Sequence, residues 1–202
     1  EMQAPVEQRQ YDALGRLTRI EFNVLGAWQP IVLAHSAAGT PTSVVSPSGV
    51  RFDFNTDGFG QLRRESNPDS GETHRLYDNA GNLLSVTDAR GVTTPHTYDA
   101  LNRRIRTERR SAQDPGSSED IRHVGDNNPG SPLPCSHGIG RLCRIDDAAG
   151  SRHFAYDAFG NLSEQWTVEL GQTHRQTFQW DAEGRLIAMS DGGGASVLLR
   201  DG

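Results

Sequence analysis

Six aspartates, Asp12, Asp57, Asp78, Asp99, Asp157 and Asp181, each stand three residues ahead of a glycine or, once, an asparagine. Two such carboxylates flanking a glycosidic bond at fixed separation would form the acid and base of a glycoside hydrolase. Cys135, His137 and Cys143 could supply three zinc ligands, with another histidine as the fourth. The two cysteines, eight residues apart, suit a disulfide or two free thiols equally well. Arg103, Arg104, Arg106, Arg109 and Arg110 form a basic cluster that could contact phosphates or an acidic partner. Alternating aromatics, such as Phe154 with Tyr156 and Phe178 with Trp180, could stack on sugars at a cell surface.

Each chemistry meets a plainer alternative. A catalytic pair has no need of six copies, whereas a recurring turn needs its aspartate every time. No catalytic residue is therefore expected. The paired Cys-x-x-Cys spacing is missing and the stretch around Cys135 is proline-rich loop, so no metal and no cofactor is expected. Strand alternation would put the arginine cluster on both faces of a sheet, where pairing with Glu108, Asp114, Glu119 and Asp120 or a solvated edge accounts for it. Rows of aromatics at strand period are packing surfaces before they are binding surfaces.

The elements that would position these residues form a repeat. All four tyrosines precede aspartate, at Tyr11, Tyr77, Tyr98 and Tyr156. The fourth turn positions are Gly15, Gly60, Gly81, Asn102, Gly160 and Gly184, and His137-Gly138-Ile139-Gly140 is a seventh copy that keeps the glycine without the aspartate. Two residues further comes a leucine (Leu17, Leu62, Leu83, Leu142, Leu162, Leu186), replaced once by Arg104. Aspartate opening a tight turn accepts backbone N–H groups, and the position leading into the returning strand favours a left-handed backbone. Glycine adopts that conformation freely and asparagine is the next most tolerant residue, which is why Asn102 is the permitted exception.

A second set of turns falls between these, at Ser46-Pro47-Ser48-Gly49, Pro68-Asp69-Ser70-Gly71, Asp88-Ala89-Arg90-Gly91 and Asp147-Ala148-Ala149-Gly150. The chain thus reverses every ten or eleven residues, in hairpins of about 21 residues such as Asp57 to Asp78 to Asp99. That leaves strands of about six or seven residues, roughly 20 Å long. The expected fold is all-β: an antiparallel strip of short hairpins over residues 1–202 as a single array, with an irregular loop insertion at about 109–138. Residues 23–50 keep strand-like runs but blur the turn signature.

Composition agrees with a turn-rich β chain of 202 residues, with 22 glycines and 10 prolines. A negative mean hydropathy suits a thin sheet better than a thick core. A net charge of −6 argues against nucleic acid as a partner, and no apolar run is long enough to insert in a membrane. No signal peptide is recognisable in this segment. Glu1 is not a natural start and Arg200-Asp201-Gly202 reads as a further turn cut short, so a segment of a longer protein is expected.

Tyr11-Asp12-Ala13-Leu14-Gly15-Arg16-Leu17, Tyr156-Asp157-Ala158-Phe159-Gly160-Asn161-Leu162 and Gly138-Ile139-Gly140-Arg141-Leu142 resemble the YD repeats of the RHS family. The resemblance implies β-hairpins wound into a spiral strip that closes into a hollow shell. Bacterial members are large secreted or surface proteins whose shell encloses a C-terminal toxin, and the animal teneurins use a similar shell in adhesion. It therefore implies a structural scaffold with no catalytic step, whose partners are the rest of the parent polypeptide and its enclosed C-terminal domain. A carbohydrate- or cell-surface-binding adhesion module is the alternative.

Overall fold

A computed structural model of the chain describes residues 7–111, 114, 116, 118–192 and 196–198. Arg200-Asp201-Gly202 lie outside the described residues, as do Gln113, Pro115 and Ser117 of the expected loop. The chain divides into two compact units, Glu1–Thr93 and Thr94–Gly202.

The first unit contains β1 (Glu7–Tyr11), β2 (Leu17–Val24), β3 (Ala27–His35), β4 (Pro41–Val45), β5 (Arg51–Thr56), β6 (Leu62–Asn67), β7 (Gly71–Tyr77) and β8 (Leu83–Thr87). The second contains β9 (Thr93–Tyr98), β10 (Arg104–Arg109), β11 (Glu119–Gly125), β12 (Leu142–Asp146), β13 (Gly150–Tyr156), β14 (Leu162–Glu169), β15 (Gln172–Trp180), β16 (Leu186–Asp191) and β17 (Ser196–Leu198). Within each unit every strand pairs antiparallel with its sequence neighbours, a plain meander, and the described residues contain no α-helix. The fold is all-β and antiparallel.

Successive turns of a meander lie at opposite ends of the strands, and the two ends differ. At one end each turn carries a one-residue bulge, with Tyr11 opposite Leu17, Thr56 opposite Leu62, Tyr77 opposite Leu83, Tyr156 opposite Leu162 and Trp180 opposite Leu186. The leucine two residues past the glycine is thus the cross-strand partner of the residue before the aspartate, an aromatic at all of these but Thr56. Side chains directly opposite each other form the unit of sheet stabilisation, and this pairing explains why leucine recurs.

Burial is thin. Among the described residues only Val92, Cys143, Ala155, Trp166 and Ala188 form a buried apolar set, joined by Ser43, Asn128 and His153. The strand aromatics Phe52, Phe54, Tyr77, Phe154, Tyr156, Phe178 and Trp180 are half-buried.

Three local expectations need correction. Residues 23–50 hold two well-formed reversals besides the one at Ser46–Gly49. One is Ser36–Gly39, where the Ser36 amide donates to Thr40 O at 2.8 Å and Gly39 has φ +88°. The other is a two-residue turn with φ +51° at Leu25 and +87° at Gly26, the left-handed pair that matches strand twist. In the second set of turns, Asn67 and not Pro68 supplies the opening side chain, accepting from the Asp69 amide at 2.9 Å. Proline at the next position sets φ while asparagine provides the acceptor. The loop insertion expected at about 109–138 is interrupted by the seven-residue strand β11.

Candidate functional site

The repeated aspartate turn is the feature from which any role must be built. At Asp157, the Asp157 amide donates to Asn161 O at 2.9 Å and the Gly160 amide donates to Asp157 O at 3.1 Å. Oδ1 accepts the Phe159 and Asn161 amides, both at 2.9 Å, and Oδ2 accepts Asn161 Nδ2 at 3.0 Å. The Oδ1 pattern recurs at Asp12 (Leu14, Arg16), Asp57 (Phe59, Gln61), Asp78 (Ala80, Asn82), Asp99 (Leu101, Arg103) and Asp181 (Glu183, Arg185). Oδ2 is met by Arg16, Arg63, Asn82, Arg103 and Arg185 in those turns. The fourth residue is left-handed throughout: φ is +76° at Gly15, +80° at Gly60, +89° at Gly81, +60° at Asn102, +93° at Gly160 and +77° at Gly184.

Both oxygens of each carboxylate are therefore committed to holding the turn. The Arg16 amide at Asp12 and the Asn82 amide group at Asp78 are the chief causes holding these carboxyls below the ordinary range. At Asp57 and Asp157 partial burial pulls the other way and is outweighed by the same donors. A carboxylate held ionised by three donors is a poor general acid.

The seventh turn recruits an aspartate from a distance. The Asp126 amide donates to Arg141 O at 3.2 Å, and Asp126 Oδ1 accepts the Gly140 amide at 2.6 Å. Gly125 sits opposite Leu142, the place that tyrosine takes in other repeats. Asp126 is thus the missing turn aspartate, separated from the glycine half of its motif by the inserted loop. Spacing alone missed it. The available signal was an aspartate directly after a strand, ahead of a proline-rich stretch.

Arg103 joins two adjacent turns, donating from Nε to Asp99 Oδ2 at 2.7 Å and from Nη2 to Asp126 Oδ2 at 2.7 Å. The guanidinium lowers the Asp126 carboxyl to about 2, and the two aspartates, Asp126 foremost, raise Arg103. Arg16 plays a related part by donating to Ser36 O at 2.7 Å. A second link runs from three of the aromatics to the preceding leucine: Tyr77 Oη to Leu62 O at 3.2 Å, Tyr156 Oη to Leu142 O at 2.7 Å, and Trp180 Nε1 to Leu162 O at 2.7 Å. Arg63 stacks over Tyr77 at 4.9 Å and Arg141 over Tyr156 at 5.5 Å.

Cys135 and Cys143 form a disulfide with Cα atoms 5.6 Å apart, so both sulfurs are spent and the zinc alternative loses its ligands. Among the described residues no group of three or more His, Cys, Asp or Glu side chains could hold a metal. The bond fastens the inserted loop to buried Cys143 on β12, and the Tyr156 amide donates to Ser136 O at 3.0 Å. Of the basic cluster, Arg106 pairs with Asp120 at 2.8 Å and Glu108 at 2.9 Å, Arg109 with Glu119 at 3.9 Å, and Arg110 with Glu108 at 2.8 Å.

An antiparallel array of hairpins in which an aspartate turn recurs, and in which Tyr77, Tyr156 and Trp180 tie their hairpins to the preceding ones, is a YD-type β-repeat scaffold. Residues 57–93, 77–114 and 156–196 match the family model described as RHS Repeat, so the chain carries RHS repeats over these stretches. The fold is similar to TcdB2-TccC3 without its hypervariable C-terminal region, with a TM-score of 0.78, 16% identity, and coverage of 95% of this chain and 11% of that one. It is likewise similar to the Photorhabdus luminescens Tc holotoxin pore carrying a TccC3 mutation, with a TM-score of 0.77, 17% identity and coverage of 95% and 11%. The chain thus spans about a tenth of the length of these solved chains. No curated protein matches it in sequence.

Proposed function

We propose that residues 1–202 are one array of YD repeats that forms a stretch of wall in a secreted RHS-type shell, enclosing or presenting a C-terminal polypeptide of the toxin kind. The observation that carries this is the link from Tyr77, Tyr156 and Trp180 to the previous leucine carbonyl, because it joins hairpin to hairpin by a rule that further copies can obey. A wall built this way works by enclosure, separating its cargo from solvent and proteases, and needs no chemical step. The similarity to TcdB2-TccC3 and to a holotoxin pore supports the same reading. A sugar-binding role would call for aromatic faces standing clear of the sheet. Most strand aromatics are half-buried, while Phe59 and Phe159, at 92% and 90% exposure, project singly from turn tips.

Limited proteolysis of the longer polypeptide that carries this chain tests the proposal. An intact wall should leave a C-terminal segment resistant to protease until the shell is opened by denaturant. A segment cleaved at once under native conditions, or saturable binding of the chain on a glycan panel, would overturn it.

A further inference from the structure

The inserted loop between β11 and β12 is fastened to one buried histidine. Asn128 is 2% exposed, and its Nδ2 lies 3.0 Å from Leu133 O and 3.2 Å from His153 Nδ1. Ser131 Oγ lies 3.3 Å from the same ring nitrogen. His153, on β13, is 4% exposed, and its Nε2 is 2.9 Å from Ser151 Oγ. A carbonyl oxygen can only accept, so Leu133 sets the Asn128 amide nitrogen towards the ring. The ring must then accept at Nδ1 and carry its single proton on Nε2, which donates to Ser151. The fastening requires a neutral imidazole of one tautomer.

Protonation breaks the match. An imidazolium has N–H at both nitrogens, so Nδ1–H would point at an Asn128 N–H. Ser131 can rotate its hydroxyl to accept, but Asn128 cannot turn without setting its own oxygen against Leu133 O. The surroundings do not favour the charge either. Residues 127–136 include no acid or base, and Cys135 is spent in the disulfide. Opposite His153 stand Arg144 on β12 and Trp166 on β14, with Arg175 over the Trp166 ring at 6.0 Å. Asp146 is engaged by Arg144 at 3.0 Å. Burial first, and Arg144 next, keep the ring below the ordinary histidine range against a smaller pull from Asp146.

The loop is also strained at one end and tethered at the other. Asp126, Asn127 and Asn128 follow one another at φ +46°, +49° and +47°, a left-handed run that L residues adopt only singly in the ordinary case. The Cys135–Cys143 bond and the Tyr156 amide on Ser136 O hold the far half. We propose that residues 127–134 form an acid-released strap, held down by neutral His153 through Asn128 and Ser131 and let go when the ring takes up a proton, with the disulfide as its tether. A lifted strap returns the ring to the ordinary value of about 6.5, above its value when closed. Closure is at full strength above about pH 6.5, and the lifted fraction rises by up to about tenfold per pH unit below it.

Amide hydrogen exchange of the full chain, disulfide intact and corrected for the intrinsic pH dependence of exchange, tests the strap at pH 7.5 and pH 5. The Leu133 amide, which donates to Ser131 Oγ at 3.2 Å, should lose about tenfold or more of its protection at pH 5, while the β13–β14 ladder keeps its own. His153→Gln has no proton to take up and should leave Leu133 equally protected at both pH values. His174→Gln, at an exposed position on β15, should leave the wild-type change intact. Should His153→Gln fail to fold, nitrogen-15 spectra of the unaltered chain give the second measurement. They should show a neutral Nε2–H ring at His153 at pH 7.5, whose protonation coincides with the loss of Leu133 protection. Unchanged protection at pH 5, a change that His153→Gln keeps, an Nδ1–H tautomer, or a β13–β14 ladder that opens together with the loop would overturn the proposal.

Discussion

The Tyr156 hydroxyl donates a 2.7 Å hydrogen bond to the carbonyl of Leu142, the residue that ends the preceding turn. Tyr77 and Trp180 make the same bond to Leu62 and Leu162. The aromatic thereby does two things: its ring packs on the sheet and its polar tip satisfies a carbonyl one hairpin away.

Removing that tip while keeping the ring isolates the second role. Tyr156→Phe should cost about 1 kcal/mol, the usual net worth of a protein hydrogen bond, and lower the melting temperature by about 2–4 °C. Scanning calorimetry would check it, and an unchanged melting temperature would remove the link from the account.

Two hairpin tips, at Leu25 and Leu170, carry strain that can be relieved. Leu170, at φ +50° and 98% exposed, precedes Gly171 in a two-residue turn that favours Asn-Gly. Leucine pays a steric penalty in the left-handed region and buries nothing in return. Leu170→Asn should raise the melting temperature by about 2–4 °C, a gain of about 1 kcal/mol.

The disulfide should matter through the loop it closes. Cys135→Ser with Cys143→Ser removes an eight-residue closure and should cost about 2–3 kcal/mol. Amide exchange should quicken first around Asp126 and Ser136, the points where the loop joins the sheet. Gly138 cannot take a side chain here, since a Cβ would overlap Cys135 Sγ.

Acid should weaken the array in a defined window. The turn aspartates are lowered in the folded chain, and Asp126 and Asp120 to about 2, each chiefly by its arginine. A carboxyl depressed by folding contributes stability in full above its unfolded value of about 4, and loses it as pH falls through the folded value. The melting temperature should begin to fall below about pH 6.5, where His96, His123 and His153, kept by burial below the ordinary histidine value, protonate in the unfolded chain. It should drop further between about pH 4 and 2 as the carboxylates protonate. Asp126→Asn should lower it at neutral pH and flatten the drop. A melting temperature that rises through the acid window would contradict the assignment.

The hairpins were legible in the sequence because a tight turn is a local event: aspartate, left-handed residue and returning leucine fall within six positions, as from Asp12 to Leu17. Reversals made without the expected residue types were harder to read. Ser36 opens a turn with a hydroxyl in place of a carboxylate, and Leu25 takes a left-handed backbone that its side chain disfavours. Asp126 escaped because its turn is assembled across the inserted loop, so no contiguous motif exists to find. The Tyr156–Leu142 bond and the Arg103 bridge are contacts between hairpins, and residue spacing within one hairpin carries no record of them. The basic cluster divided for a similar reason: strand pairing brought Arg106 to Asp120, whereas Arg104 has no carboxylate within 4.0 Å among the described residues.

The most direct test of the wall is a cryo-electron microscopy reconstruction of the longer polypeptide that carries residues 1–202. The account predicts that these hairpins run on into further repeats around an interior that holds density for another segment of chain. Hairpins packed against solvent on both faces, with no enclosed polypeptide, would contradict it.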